Sequence, residues 1–377
     1  MVDSMSATTP SARIVELDVL RGVAIAGVVW VHTSWDGVVA LLAGGGNVHP
    51  LVSSHVASLF CVPMFLAVAV ATLVVRARDA GQDAGAALAF WRKRFGRLLP
   101  AYALWSVLSL AAAGVVHPAA VVNAIWFGTA DAQFYFIPLL AQVLLVWPLV
   151  ARVVAAVTDD ESLPQPLVAA LVAGVSWAVS VAAWRASAAA WPHGSAFPWA
   201  TLWAVHLGAG LLLGLNFSRL AALARSNALI AAAYAAVFVT FVWAMATTRV
   251  GYGFSQSADT IAVAATALQQ PHAAYAWALM ALVVVAVFRV TANDWRKSMP
   301  PVTTLAALGR ASYGVFLTHR LIEAAVRGRV LPHLPGWGTT APATLAWSFV
   351  EWLVVLVAAY ALTRALAQSR RLAWTVG

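Results

Sequence analysis

The chain is 377 residues long, 62% hydrophobic and only 10% charged, with a mean hydropathy of +0.82. Soluble domains carry about 25% charged residues, so this composition excludes an ordinary soluble domain and specifies a polytopic membrane protein. The net charge of +9 and the pI near 10.4 do not mark a nucleic-acid binder, because the basic residues are scattered between hydrophobic runs, as in the loops of membrane proteins.

Taken in order, residues 1–12 are polar and small and read as a short disordered lead. The apolar run that follows is too long for the core of a cleavable signal and is expected to stay as a first span. About ten helical spans follow from the hydrophobic runs, at approximately 19–42, 52–75, 98–116, 134–154, 167–189, 200–217, 227–247, 273–290, 305–325 and 343–366. The fold class is therefore all-α, a polytopic transmembrane helical bundle that forms a single integral-membrane domain over residues 1–377, with a short tail at 367–377. Pro63, Pro138 and Pro148 fall inside spans, where proline is tolerated but kinks the helix. The loops assigned to one side, with Arg21 at their level, hold 18 of the 23 lysines and arginines, and the positive-inside rule places that side and both termini in the cytoplasm. The outward loops, among them 117–133, 190–199 and 248–272, are rich in Trp, Gly, Pro, His and small polar residues. The last of these is long enough for a short surface or re-entrant helix. The 18 tryptophans fit a membrane interface. Cys61 is the only cysteine, so no intrachain disulfide forms, and its apolar surroundings read as core. No internal repeat or appended soluble domain is evident.

The first span, within RIVELDVLRGVAIAGVVWVHTSWD, carries the first chemical signal. Arg21 and His32 are eleven residues apart, which puts them on one helix face about 16.5 Å apart along the axis. Ionisable groups in a span are costly and point to function. Arg21 reads either as a snorkelling anchor or as a functional cation, and His32 as a catalytic base or a helix–helix hydrogen bond. Asp36, one turn beyond His32, either orients that imidazole or ends the helix at the surface. Asp18 is an N-terminal, dipole-complementing acid, a partner for Arg21, or both. Arg94 and Arg97, spaced i, i+3 in the dense basic stretch FWRKRFGR, are either a juxtamembrane anchor or a fork for phosphate. In the ninth span, His319 and Glu323 form a second i, i+4 histidine–carboxylate pair with Tyr313 on a nearby face, and Glu351 lies in the tenth. The other histidines are scattered and read mostly as loop or interface residues. No nucleophile elbow, phosphate-binding loop or metal-ligand cluster is present, so no metal is expected.

Four stretches together resemble the acyltransferase-3 family of integral-membrane acyltransferases. LDVLRGVAIAGVVWVH resembles its opening Arg-x10-His span, and FWRKRFGRLLPAY its Arg-x-x-Arg segment before the third span. QFYFIPLLAQVLLVWPLV resembles its aromatic fourth span, and LGRASYGVFLTHRLI its late Ser-Tyr…His span. The chain departs from the family pattern at Ala69-Val70, where a Ser-Gly pair is usual, and at Tyr135-Phe136, where Trp-Phe is usual. The resemblance implies a donor such as acetyl-CoA and a hydroxyl acceptor on a cell-surface sugar, glycan or glycolipid. On that reading, Arg21, Arg94 and Arg97 hold acyl-CoA, His32, Asp36 and His319 are catalytic, and Tyr135, Tyr313 and Glu323 line the substrate channel. The implied location is a bacterial inner or plasma membrane, with the lipid bilayer as partner. Two other readings stand beside it: a transporter or flippase without acyl transfer, and acylation of a small-molecule acceptor such as a macrolide or a lipid.

Overall fold

The computed structural model describes residues 14–159, 164–190, 199–247 and 271–377, and their regular structure is helical throughout. The expected lead at 1–12 and most of the outward segments 190–199 and 248–272, with the re-entrant helix expected in the latter, lie outside the described residues. The helices are α1 Val15–Ala43, α2 His49–Ser58, α3 Cys61–Arg76, α4 Ala84–Ala112, α5 Pro118–Phe127, α6 Phe136–Asp159, α7 Gln165–Ala190 and α8 Ala204–Leu215. They continue with α9 Phe217–Leu223, α10 Asn227–Thr247, α11 Pro271–Thr291, α12 Asp294–Lys297, α13 Pro300–Arg310, α14 Ser312–Arg329 and α15 Ala341–Gln368. A 3₁₀ turn, Ala373–Val376, follows.

Among the described residues, eight helical segments are long and apolar enough to cross a membrane, or nine if α8 and α9, bent by 79°, make one span. The expectation of about ten differs at the ninth, 305–325. That stretch is two helices, α13 and α14, broken at Ala311. Arg320, Glu323, Arg327 and Arg329 on α14 make it too charged to qualify as an apolar span. A second difference lies at 84–112. The basic stretch read as a loop before the third span is helical, because Asp83 caps α4 by accepting from the Ala86 N–H at 2.7 Å. Arg94 and Arg97 therefore sit inside a continuous helix that also runs through Pro100.

α1 is the spine of the bundle. Glu16 and Asp18 lie in its first turn, where carboxylates suit the helix dipole. One side of α1 buries Leu17, Leu20, Ala24 and Leu41 against α2, α3 and α11, and another buries Ile25, Val28 and Val29 against α3, α4, α6 and α14. α13 approaches very closely, because both surfaces carry glycine. A Cβ at Gly22 would collide with the Leu305 backbone, and one at Gly309 with the Asp18 backbone. α15 is locked to α1 by Trp352, whose indole N–H donates to the Ala26 carbonyl at 2.8 Å, and by edge packing of Trp352 on Trp30 at 6.1 Å. By contrast α7 and α10 are mostly exposed, and the apolar Phe238 and Val239 of α10 face outward as lipid-facing side chains do.

Candidate functional site

The polar groups on α1 build two centres, one near its start and one past its middle. The first lies around His32. This imidazole is buried, and its ring lies 5.4 Å from that of His319 on α14, tilted by 37°. Two histidines separated by most of the chain thus meet in the interior. His319 is fully buried, and its Nδ1 lies 3.1 Å from the Val315 carbonyl and 2.9 Å from that of Phe316. Carbonyl oxygens only accept, so Nδ1 donates and carries the proton, which leaves the lone pair on Nε2. Nε2 is buried without a hydrogen-bond partner among the described residues. An imidazole held in this tautomer has its basic nitrogen free for another molecule.

The histidine–carboxylate pairs expected from i, i+4 spacing are replaced by arginine–carboxylate pairs. Glu323, fully buried, pairs with Arg320 and not with His319, whose Nδ1 is satisfied by its own helix. Arg320 also reaches Asp131, in the segment before α6, at 3.4 Å. Asp36, aimed at His32 by its spacing, is the ion-pair partner of Arg327 at 2.8 Å. The carboxyl groups of Asp36 and Glu323 face each other, and Glu351 of α15 is buried among Asp36, Arg320 and Arg327. Both Glu351 oxygens lack a hydrogen-bond partner among the described residues. Arg320, Arg327 and Asp131 were not singled out as functional. The signal available for the two arginines was their i, i+3 and i, i+4 spacing to Glu323, but the partner choice needed the packing.

The second centre lies around Arg21. Its guanidinium donates to the Thr72 hydroxyl at 2.6 Å and pairs with Asp18 at 3.4 Å. Arg94 is an electrostatic neighbour of Arg21, Arg97 and Arg76, so the fold brings the three expected arginines together and adds a fourth. Arg94 stacks over Phe90, 5.7 Å from the ring centroid. Arg97 donates to the Gly377 carbonyl at 2.6 Å, because the C-terminal turn folds back between α4, α14 and α15. The tail read as a cytoplasmic extension is therefore packed, with Thr375 and Val376 buried.

The expected channel residues divide. Glu323 belongs to the His32 centre. Tyr313 does not: its hydroxyl donates to the Leu98 carbonyl at 2.6 Å, one residue from Arg97, and struts α14 to α4 at the arginine end. Tyr135 stacks on Trp203 at 6.2 Å, on the α8 side of the bundle. Two histidines dismissed as loop or interface residues are buried in helices. His55 lies 3.2 Å from the Ser34 hydroxyl, and His206 stacks on Trp277 at 5.2 Å. Cys61 is buried, as expected of a core residue.

The chain is thus a helical membrane bundle with an arginine cluster near the start of its central helix and a buried histidine pair past the middle of that helix. A family model described as an acyltransferase domain, acyltransferase-3, matches residues 14–366, and the chain belongs to that family. It is an acyltransferase, and the transport-only reading gives way. No curated protein and no solved structure matches the chain.

Proposed function

We propose that this membrane acyltransferase transfers an acyl group, acetyl in the simplest case, from cytoplasmic acyl-CoA to a hydroxyl of a cell-surface sugar, glycan or glycolipid, in a bacterial inner or plasma membrane. The observation that carries the reading is the His319 tautomer: a buried imidazole with Nδ1–H held by backbone and Nε2 available. The acceptor hydroxyl gives its proton to Nε2 as its oxygen bonds to the thioester carbon. The carbon–sulfur bond breaks, and the CoA sulfur leaves with the proton returned from the imidazole. His32, 5.4 Å away ring to ring, completes the site, either as a second base or by holding the acceptor. The carboxylate–arginine network of Asp36, Glu323, Arg320 and Arg327 orients the acceptor's hydroxyls at the outward end.

The arginines fit the donor. Guanidinium forks suit phosphates, and Arg94 is an electrostatic neighbour of Arg21, Arg76 and Arg97, with Asp18 paired to Arg21. From Arg21 the pantetheine arm would run along α1 through about 16.5 Å to His32. Purified protein incubated with radiolabelled acetyl-CoA and a panel of glycans tests the whole reading. Labelled product and free CoA should appear in equal amounts. CoA release without any labelled acceptor across the panel would remove the carbohydrate assignment.

A further inference from the structure

A groove of about 450 Å³ runs along the outer surface of α14. One wall is a stripe on α14, Thr318, Ile322, Val326 and Arg329, at the three- and four-residue spacing that puts side chains in one line. Trp105 of α4 and Leu362 of α15 complete it. The volume falls within the range of about 300–1,000 Å³ usual for sites that take one small molecule.

Its dimensions follow from the helix. Thr318 to Arg329 is eleven residues, or about 16.5 Å, close to half of a hydrocarbon core about 30 Å thick. The inner end is closed: Thr318 is fully buried, and Trp105 is pinned by its indole N–H to the Thr375 carbonyl at 2.7 Å. The outer end is open and carries the exposed Arg329, which makes no ion pair among the described residues. The neighbouring Arg327, by contrast, is engaged by Asp36. An apolar surface groove about half a hydrocarbon core long, bounded by buried Thr318 at one end and ending in a cation that makes no ion pair among the described residues, has the shape and charge of a single lipid with an anionic headgroup.

We propose that this groove binds one anionic phospholipid of the leaflet opposite the arginine cluster, the outer leaflet in the orientation proposed above, with an acyl chain between α4, α14 and α15 and its phosphate on Arg329. The lipid would hold α14, and with it His319, against α4 and α15. The site needs no acyl transfer to exist, so it stands or falls separately from the proposed reaction.

The test is native mass spectrometry of the full chain equilibrated with vesicles of equal parts phosphatidylglycerol and phosphatidylcholine. The expected result is one retained phosphatidylglycerol, favoured over phosphatidylcholine roughly fivefold, as one basic residue near an anionic surface supplies. Arg329→Ala should erase the preference and Arg329→Lys keep it. Ala325→Trp, which fills the groove, should abolish retention. Arg329 is exposed and its loss cannot unfold the protein by burying an unmatched charge, so this variant decides even if Ala325→Trp misfolds. Equal retention of both lipids by the parent chain, or an unchanged preference in Arg329→Ala, would overturn the site.

Discussion

The two ends of α1 hold charge in opposite ways. At one end Arg21, Arg94 and Arg97 contact the Thr72 hydroxyl, the Phe90 ring and the Gly377 main-chain oxygen. Asp18 is shared between Arg21 and Arg310, at 3.4 and 4.0 Å. At the other end Arg320 and Arg327 are tied to Asp131, Glu323 and Asp36. The first arrangement leaves a net positive field, which draws an anion from solution. The second fixes the Arg320 and Arg327 guanidiniums, so that the adjacent imidazoles sit in a polar frame. On the proposed reading, the first arrangement suits donor binding and the second suits the reaction.

The largest effect separates the ends outright. His319→Ala should lower transfer about 10²–10⁴-fold, the usual worth of a general base, with the protein still inserted and monodisperse. Loss of the cation that Glu323 and Asp131 share is nearly as damaging. Arg320→Ala leaves Glu323 and Asp131 without their cation and should destabilise the fold by about 3–5 kcal/mol, read as a lowered unfolding temperature in detergent. At the arginine end the change should appear in binding rather than stability. Arg94→Ala should raise the KM for acetyl-CoA about tenfold or more, from loss of a charge-assisted contact of about 1.5–3 kcal/mol, with kcat little changed. Raising salt should mimic it by screening. A fall in kcat with constant KM in Arg94→Ala would break the division. The smallest expected effect is Gly309→Ala, about 1–3 kcal/mol from overpacking against the Asp18 backbone, seen as reduced thermal stability.

Much of the framework is legible in the sequence because hydrophobic length and period are local properties. The span read as 19–42 is α1 at 15–43, and Arg21 and His32 do share one continuous helix. What stayed hidden is partner choice. His319 and Glu323 have the spacing of a pair, yet a histidine Nδ1 on a helix finds carbonyls three and four residues back, and an arginine beside it outbids the imidazole for the carboxylate. Asp131 lies far from Arg320 in sequence, so nothing local announces their pairing. The arginine cluster was legible for Arg94 and Arg97 by their motif, but Arg76 and the Gly377 carbonyl join only when α3 and the C-terminal turn fold against α4. At the expected ninth span, Arg320, Glu323 and Arg327, which help make α14 a poor apolar span, are also the residues paired in the network near the buried histidines.

The most direct test of the division is a steady-state measurement of kcat and KM for acetyl-CoA in purified His319→Ala, against the parent protein with the same acceptor. The structure predicts a kcat lowered by at least about 10²-fold with KM for the donor within a small factor of the parent value. A variant that turns over at the parent rate, or that loses donor binding while retaining kcat, would contradict it.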